Sequence, residues 1–399
     1  MTADLPLRPD VDQLVVVGAG LAGAKVVEEA RALGFSGRIT LIGAEPHPPY
    51  DRPPLSKAHL ADEVEPSLVP VLDDGLDVTL RLGTTARGLD ARNRLVRTTL
   101  GDIPFDALVV ATGSTPRLLS HLPELDGITS LRTAEDAGRA RARIEAGARV
   151  VVIGAGFIGG EVASSARHRG AEVAMVEAVD LPLVHAVGPL VAERLACLHR
   201  EHGVEMHTGR EVREVIGTSH VEKVRLDDGT VLAADLVVVG IGVTPATGWL
   251  KGTGVALNDG VACTPFLEST VPGVWAVGDV ARWVNPWCGR SVRMEHWTAA
   301  TEQAQAVARN ALTTSPQPCR VVPYFWSEWH GHRIQMMGDP SEEVEVTVSG
   351  GATDPFHALY RYDGRLVGGF ALDSTRELMR RRTAISARSS WQDALTAGS

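Results

Sequence analysis

Three glycines within six residues occur twice in this chain, as Gly18-Ala19-Gly20-Leu21-Ala22-Gly23 and as Gly154-Ala155-Gly156-Phe157-Ile158-Gly159. Glycine at this spacing lets a backbone turn tightly and approach a pyrophosphate closely, and the N–H groups and dipole of a following helix then meet the charge. Each turn has an acid downstream. Glu45 lies 22 residues past Gly23 at the end of RITLIGAE, and Glu177 lies 18 past Gly159 in AEVAMVEA. A carboxylate there accepts from ribose hydroxyls and repels a 2'-phosphate. No arginine stands between Glu177 and His185 to bind such a phosphate, so the second site favours NADH over NADPH. One GxGxxG is a weak signal; two, each with its acid and its strand-before, helix-after setting, are specific.

The elements that must carry these turns are themselves repeated. LVVVGAGLAGAKVVEEARALG (14 to 34) recurs as VVVIGAGFIGGEVASSARHRG (150 to 170), offset by 136 residues. Each copy reads as a buried parallel strand, a glycine turn and a helix, the opening of a doubly wound α/β unit. DALVVATGSTPR (106 to 117) and ADLVVVGIGVTP (234 to 245) read as matching closing strands, and Pro116 and Pro245 mark places for the chain to cross between domains. VPGVWAVGDVA (271 to 281) predicts another apolar strand, followed by a helix from His296 to Leu312. From about Cys319 the pattern turns aromatic and alternating (VPYFWSEW, EVEVTV, ALYRYDGRLVGGFAL), with a hairpin predicted at Asp363-Gly364. SSWQDALTAGS is expected to be a loosely held tail.

Composition narrows the function classes. The chain has 399 residues, 44% of them hydrophobic, and a formal charge of -10. No apolar run approaches the ~18 residues of a membrane span. The start, MTADLPLRPDVDQ, lacks the basic and apolar regions of a secretory signal, so a cytoplasmic location is expected. The acidic balance argues against general nucleic-acid binding. Cys197, Cys263, Cys288 and Cys319 form no CxxC or CxxxxC pair, which leaves neither a metal site nor a redox-active disulfide visible. No cysteine lies in residues 1 to 196, against a disulfide reductase or a cysteine-based NADH oxidase.

PPYDRPPLSK (48 to 57), FIGGEVA (157 to 163), VGIGVTP (239 to 245), GDVA (278 to 281), MEHWTAATEQA (294 to 304) and VPYFWSEW (322 to 329), taken with the two glycine turns, resemble the oxygenase-coupled ferredoxin reductases, with rubredoxin reductase nearby. The similarity covers nearly the whole chain. It implies an α/β fold of two Rossmann-like dinucleotide-binding domains and a C-terminal α+β domain. The FAD-binding domain is discontinuous (1–115 and 246–318), the NAD(H)-binding domain is inserted (116–245), and residues 319–399 follow.

For FAD, the resemblance implies contacts from Gly18, Gly20, Leu21, Ala22, Gly23, Glu45, Arg52, Lys57, Ala111, Thr112, Gly113, Asp279, Glu295, His296, Trp297 and Trp326. For NADH it implies Gly154, Gly156, Phe157, Ile158, Gly159, Glu177 and Gly242. Lys57 and Glu161 match a catalytic pair: the cation stabilises reduced flavin and the carboxylate holds the lysine. The alternative is an exposed Arg-Lys loop and a weak surface pair. Trp326 is equally well read as ordinary aromatic packing. His185 and His296 read as hydrogen-bonding bystanders rather than proton donors. Two departures weaken the NAD site: EAVDLPLVHAVG lacks the arginine that follows the ribose glutamate in relatives, and Ala246 replaces a common asparagine.

The implied activity is NADH:ferredoxin oxidoreduction. NADH delivers hydride to flavin N5, and electrons pass singly to a two-iron two-sulfur ferredoxin that feeds a cytochrome P-450 or a ring-hydroxylating dioxygenase. Arg376, Arg380, Arg381, Arg382 and Arg388 are either a docking patch for that acidic partner or a solvated helical face. A monomer or homodimer is expected. The alternative from another class is a redox-regulated flavoprotein of the apoptosis-inducing-factor type.

Overall fold

The computed structural model describes residues 5–62, 68, 70–73, 75–340, 345–350 and 355–396. They form two compact units. One comprises residues 1–51, 68–115 and 244–323, and the other residues 52–67, 116–243 and 324–399.

The first unit is built on a five-stranded parallel sheet in the order Val274–Ala276, Ala107–Val110, Gln13–Val17, Arg38–Ile42, Thr79–Arg81. Its inner strands are continuous β-branched runs because helices and loops cover both faces. Leu14, Val15 and Val16 are fully buried. The helix Leu21–Ala32 follows the central strand, and its buried face is made of Ala22, Gly23, Ala24, Val26, Val27 and Ala30, small enough to lie close to the sheet. The helix foreseen from His296 runs Trp297–Leu312, with His296 as its N-cap.

The second unit repeats this plan. Its parallel sheet has the order Val204–Thr208, Glu172–Glu177, Arg149–Ile153, Leu236–Val239, Ile128–Ser130, so the strand before the glycine turn is again central. The same unit carries an antiparallel sheet, Tyr324–Trp329, His332–Gly338, Arg365–Leu372, Phe356–Tyr362, Glu345–Ser349. The hairpin at Asp363-Gly364 is present, both residues with positive φ (47° and 68°), as a two-residue turn between twisted strands requires. The EVEVTV strand forms over Glu345–Ser349; its first two residues lie outside the described residues.

The predicted tail is corrected in part. Trp391–Thr396 is a helix with Ala394 buried, and Ser390 bridges to Arg365; residues 397–399 lie outside the described residues. Ser390 caps that helix by accepting from Asp393 N, which anchors a segment whose composition suggested a free end. Among the described residues no helix is long and apolar enough to cross a membrane, and no His/Cys/Asp/Glu cluster is placed to hold a metal ion.

Candidate functional site

The first glycine turn joins Gln13–Val17 to Leu21–Ala32. Gly18 has φ +120°, and a Cβ there would lie 2.1 Å from Ala111 O, so no other residue fits. A Cβ on Gly23 would meet Gly18 O at 2.0 Å, which fixes how closely the helix approaches the turn. A Cβ on Gly20 would meet nothing within 4 Å. That space faces the first turn of the helix, whose amides have no intrahelical acceptors, and it has the geometry of an anion cradle.

Several predicted FAD residues lie in the same unit as this turn. Glu45 follows the strand Arg38–Ile42 and accepts from Tyr50 Oη at 2.5 Å. Ala111 N donates to Val17 O, and Thr112 Oγ1 donates to Ala246 O at 2.8 Å. Gly113 O accepts from Ala246 N at 2.9 Å. Asp279 sits in the single turn Gly278–Val280, its Oδ2 accepting from Ser114 Oγ at 2.7 Å, while Gly278 N donates to Gln303 Oε1 at 2.7 Å. Trp297 Nε1 donates to Asp51 Oδ1 at 2.9 Å, and Glu295 pairs with Arg293. Burial pushes His296 down to about 4 against the opposing charge of Asp279. The cradle and its flanking polar groups fit the pyrophosphate and ribityl ends of FAD.

The second turn reproduces the first. Gly154 has φ +99° and its Cβ would lie 2.4 Å from Gly240 O; Gly159's would lie 2.1 Å from Gly154 O; Gly156 again faces open space. Glu177 ends its strand and accepts from Ala155 N at 2.8 Å and from Val179 N at 3.3 Å, so its carboxylate braces the turn. Gly242 has φ +95° and open space at its Cβ position. Phe157 packs against Phe325 and Trp329, whereas Ile158 is exposed at the helix start. His185 is exposed on the short helix Val184–Val187. This cradle fits a second dinucleotide.

The same unit brings Lys57 and Glu161 together: Lys57 Nζ lies 2.7 Å from Glu161 Oε1, and Glu161 is only 3% exposed. This is not the weak surface pair of the alternative reading. Glu161 projects from the helix Phe157–His168 and also accepts from Ser327 Oγ at 2.6 Å and from Ser56 Oγ. Lys57 further donates to Pro53 O at 3.3 Å. Arg52 Nη1 donates to Arg132 O at 2.5 Å. Trp326 is half-buried on the strand Tyr324–Trp329, tilted against Tyr324.

The neighbouring hairpin turn anchors on the cradle helix. Trp329 fills the space at Gly160, where a Cβ would lie 2.4 Å from its indole, and its Nε1 donates to Phe157 O at 3.2 Å. His330 N donates to Ser164 Oγ at 2.6 Å. His330 Nε2 and His199 Nδ1 share a hydrogen bond of 2.9 Å, with His202 stacked on His330. Burial, then the neighbouring His330 and His202, push His199 down to about 3; burial, then His202, His332 and Arg167, push His330 down to about 4.

Ser56, Ser327, Ser114 and Gln303 escaped the sequence reading. One signal was available for Ser327: it occupies an inward position of an aromatic strand, between Phe325 and Trp329, where a hydroxyl demands a buried acceptor. The arginine patch needs correction. Arg376, Arg380 and Arg382 are exposed, but Arg381 is 9% exposed and donates to Glu377 O and Oε2, so it is part of the interior. Its position on the inner side of the short helices, against the sheet, explains the difference.

The pyridine nucleotide-disulphide oxidoreductase family model matches residues 12–304, and the reductase C-terminal model matches residues 324–398. Terpredoxin reductase from a Pseudomonas species is 35% identical over 381 residues, covering 94% of this chain and 93% of the relative. Rhodocoxin reductase from Rhodococcus erythropolis is 34% identical over 386 residues, covering 94% and 89%. The reductase in the crystal structure of the covalent putidaredoxin reductase–putidaredoxin complex superposes with a TM-score of 0.90 at 31% identity, covering 94% of this chain and 93% of that one.

Proposed function

The chain belongs to the pyridine nucleotide-disulphide oxidoreductase family, and from that premise we propose that it is an FAD-dependent NADH:ferredoxin oxidoreductase serving an oxygenase. The observation that carries the reading is the pair of duplicated cradles, each with an open Gly20 or Gly156 position and its own acid. When bound, FAD supplies the acceptance of a hydride from NADH and the release of two electrons one at a time, which suits a one-electron iron–sulfur acceptor.

The chain's own residues provide binding and electrostatics. Gly18 to Gly23, Glu45, Ala111 to Gly113 and Asp279 hold FAD, with Glu295, His296 and Trp297 near its ring; Gly154 to Gly159, Glu177 and Gly242 hold NADH. Lys57 and Arg52 place positive charge for the reduced flavin, and Glu161 fixes Lys57. The division into FAD-binding (1–115, 246–318), NAD(H)-binding (116–245) and C-terminal (319–399) domains belongs to the same proposal. The partner is a two-iron two-sulfur ferredoxin meeting Arg376, Arg380 and Arg382, and the enzyme works in the cytoplasm as a monomer or homodimer.

Disulfide chemistry, which the family name also covers, is not supported by two of the four thiols. Burial pushes Cys263 and Cys319 up to about 12, so neither is a thiolate nucleophile at pH 7. The test is anaerobic addition of NADH to FAD-loaded protein, followed by ferricyanide or cytochrome c reduction with and without ferredoxin. Bleaching of the flavin and ferredoxin-stimulated cytochrome c reduction are expected; a flavin that NADH leaves oxidised refutes the proposal.

A further inference from the structure

Glu161 has more partners than the lysine pair needs. Its Oε1 takes both Lys57 Nζ at 2.7 Å and Ser327 Oγ at 2.6 Å, and its Oε2 takes Ser56 Oγ. A carboxylate this buried is costly unless its lone pairs are filled, and two hydroxyls do what water would do at the surface. The two serines differ in origin. Ser56 is the residue before Lys57, and its carbonyl accepts from Ser165 Oγ at 2.8 Å, so it is fixed together with the lysine loop. Ser327 arrives from 166 residues beyond Glu161, on the strand that carries Trp326, and shares its acceptor atom with the ammonium.

We propose that Ser327 is a positioning residue for the Lys57–Glu161 pair: by donating to the oxygen that Lys57 also uses, it draws negative charge from that oxygen and keeps the ammonium from being fully neutralised by its partner. The inference rests on the reading of Lys57 as the cation that favours reduced flavin. Two donors on one carboxylate oxygen each bind it less strongly than either would alone. With the hydroxyl gone, Oε1 holds Lys57 more tightly and less of its charge remains for the flavin. Ser327 thereby links the C-terminal sheet to the charge of Lys57 through one hydrogen bond rather than through bulk packing.

The test measures the flavin midpoint potential and the anaerobic reduction rate with NADH in Ser327→Ala, Ser327→Thr, Glu161→Gln and the Glu161→Gln/Ser327→Ala double variant. Ser327→Ala is expected to lower the reduction rate about tenfold at saturating NADH, with the NADH concentration giving half-maximal rate unchanged. Its potential falls by ~30 mV, the two-electron equivalent of a tenfold change. Ser327→Thr, which retains the hydroxyl, restores both. In the Glu161→Gln background the Ser327→Ala change has no further effect, which separates positioning from a general packing defect. Should Ser327→Ala yield no folded protein, Ser327→Cys, of similar size with a weaker donor, carries the same expected direction. A potential equal to that of the parent protein, or an effect that persists undiminished in Glu161→Gln, overturns the inference. Failure of the parent protein to take up FAD or to be bleached by NADH would instead overturn the functional reading on which it rests.

Discussion

Alanine substitutions at Gly154 and Gly156, two residues apart in one turn, should separate folding from binding. At Gly154 the φ of +99° costs an L-residue about 1–2 kcal/mol. The added Cβ would also lie 2.4 Å from Gly240 O, a backbone atom that cannot rotate away, and such overpacking costs about 1–3 kcal/mol more. The sum, about 2–5 kcal/mol, lowers the midpoint of thermal unfolding by roughly 5–15 °C for a unit of this size, whether or not nucleotide is present. Gly156 has φ -75°, which alanine adopts freely, and its Cβ would meet nothing within 4 Å. Gly156→Ala should therefore leave the nucleotide-free protein within about 1 kcal/mol of the parent, the loss expected from a poorer N-cap. Its methyl group occupies the space that we assign to the pyrophosphate, so NADH affinity should drop by about 10- to 100-fold, equivalent to ~1.4–2.8 kcal/mol. Melting curves without nucleotide give the first quantity, and the NADH dependence of anaerobic flavin reduction gives the second. If Gly156→Ala binds NADH as the parent does, the open space is not the pyrophosphate seat and the cradle argument fails. A Gly154→Ala protein as stable as the parent would refute the packing argument.

Acid sensitivity is expected from His199, which takes up a proton near 6.5 when unfolded but only near 3 when folded. The unfolded chain then binds more protons throughout that window, so stability falls as pH drops below about 6.5, by about 2 kcal/mol at pH 5 from this residue alone. Urea midpoints at pH 7 and pH 5 would show the loss, and His199→Gln should flatten it; an unchanged slope in that variant would contradict the assignment. Arg381→Ala should destabilise the protein by about 1–3 kcal/mol, because a buried guanidinium and its acceptors lose each other. Arg376→Ala, Arg380→Ala and Arg382→Ala should leave the melting midpoint unchanged and weaken ferredoxin-dependent turnover at low salt; equal effects across all four would argue against the division. Cys319, buried and held near 12, should resist iodoacetamide in the folded protein at pH 8, and its alkylation without unfolding would contradict that burial.

Glycines made the two cradles legible in the sequence because the backbone there imposes a requirement that only one residue type meets. Gly18 and Gly154 need positive φ and a missing Cβ, and no neighbouring substitution can compensate. The central strands were legible for a related reason: a strand covered on both faces must be apolar throughout, as LVVV and VVVI are. The partners of Glu161 were not legible in the same way. Serine is compatible with almost any setting, and nothing local in DRPPLSK or FWSEW says that hydroxyls 105 and 166 residues from one carboxylate meet on it. The arginines failed as a guide for the opposite reason. Composition counted five charges, but helical geometry turns Arg381 inward while its neighbours face solvent, and only the register of the short helices against the sheet decides which. The tail misled because Ser, Ala and Gly suggested freedom while Trp391, Ala394 and a serine cap were enough to hold a turn and a half of helix.

Gly160 has a consequence for anyone recombining these reductases. The indole of Trp329 occupies the volume that a side chain at position 160 would need, so the helix of the nucleotide cradle and the hairpin of the C-terminal sheet are cut to one another's shape. A graft of the last 75 or so residues from a relative will therefore be accepted only if the donor brings an equally bulky ring to the hairpin and the recipient keeps its glycine. A smaller ring would leave a void beside Gly160, and a larger residue at 160 would push the hairpin away from the helix. The boundary that looks natural on a family map runs through an interlocking joint, and chimeras are better cut to keep both halves of it from one parent.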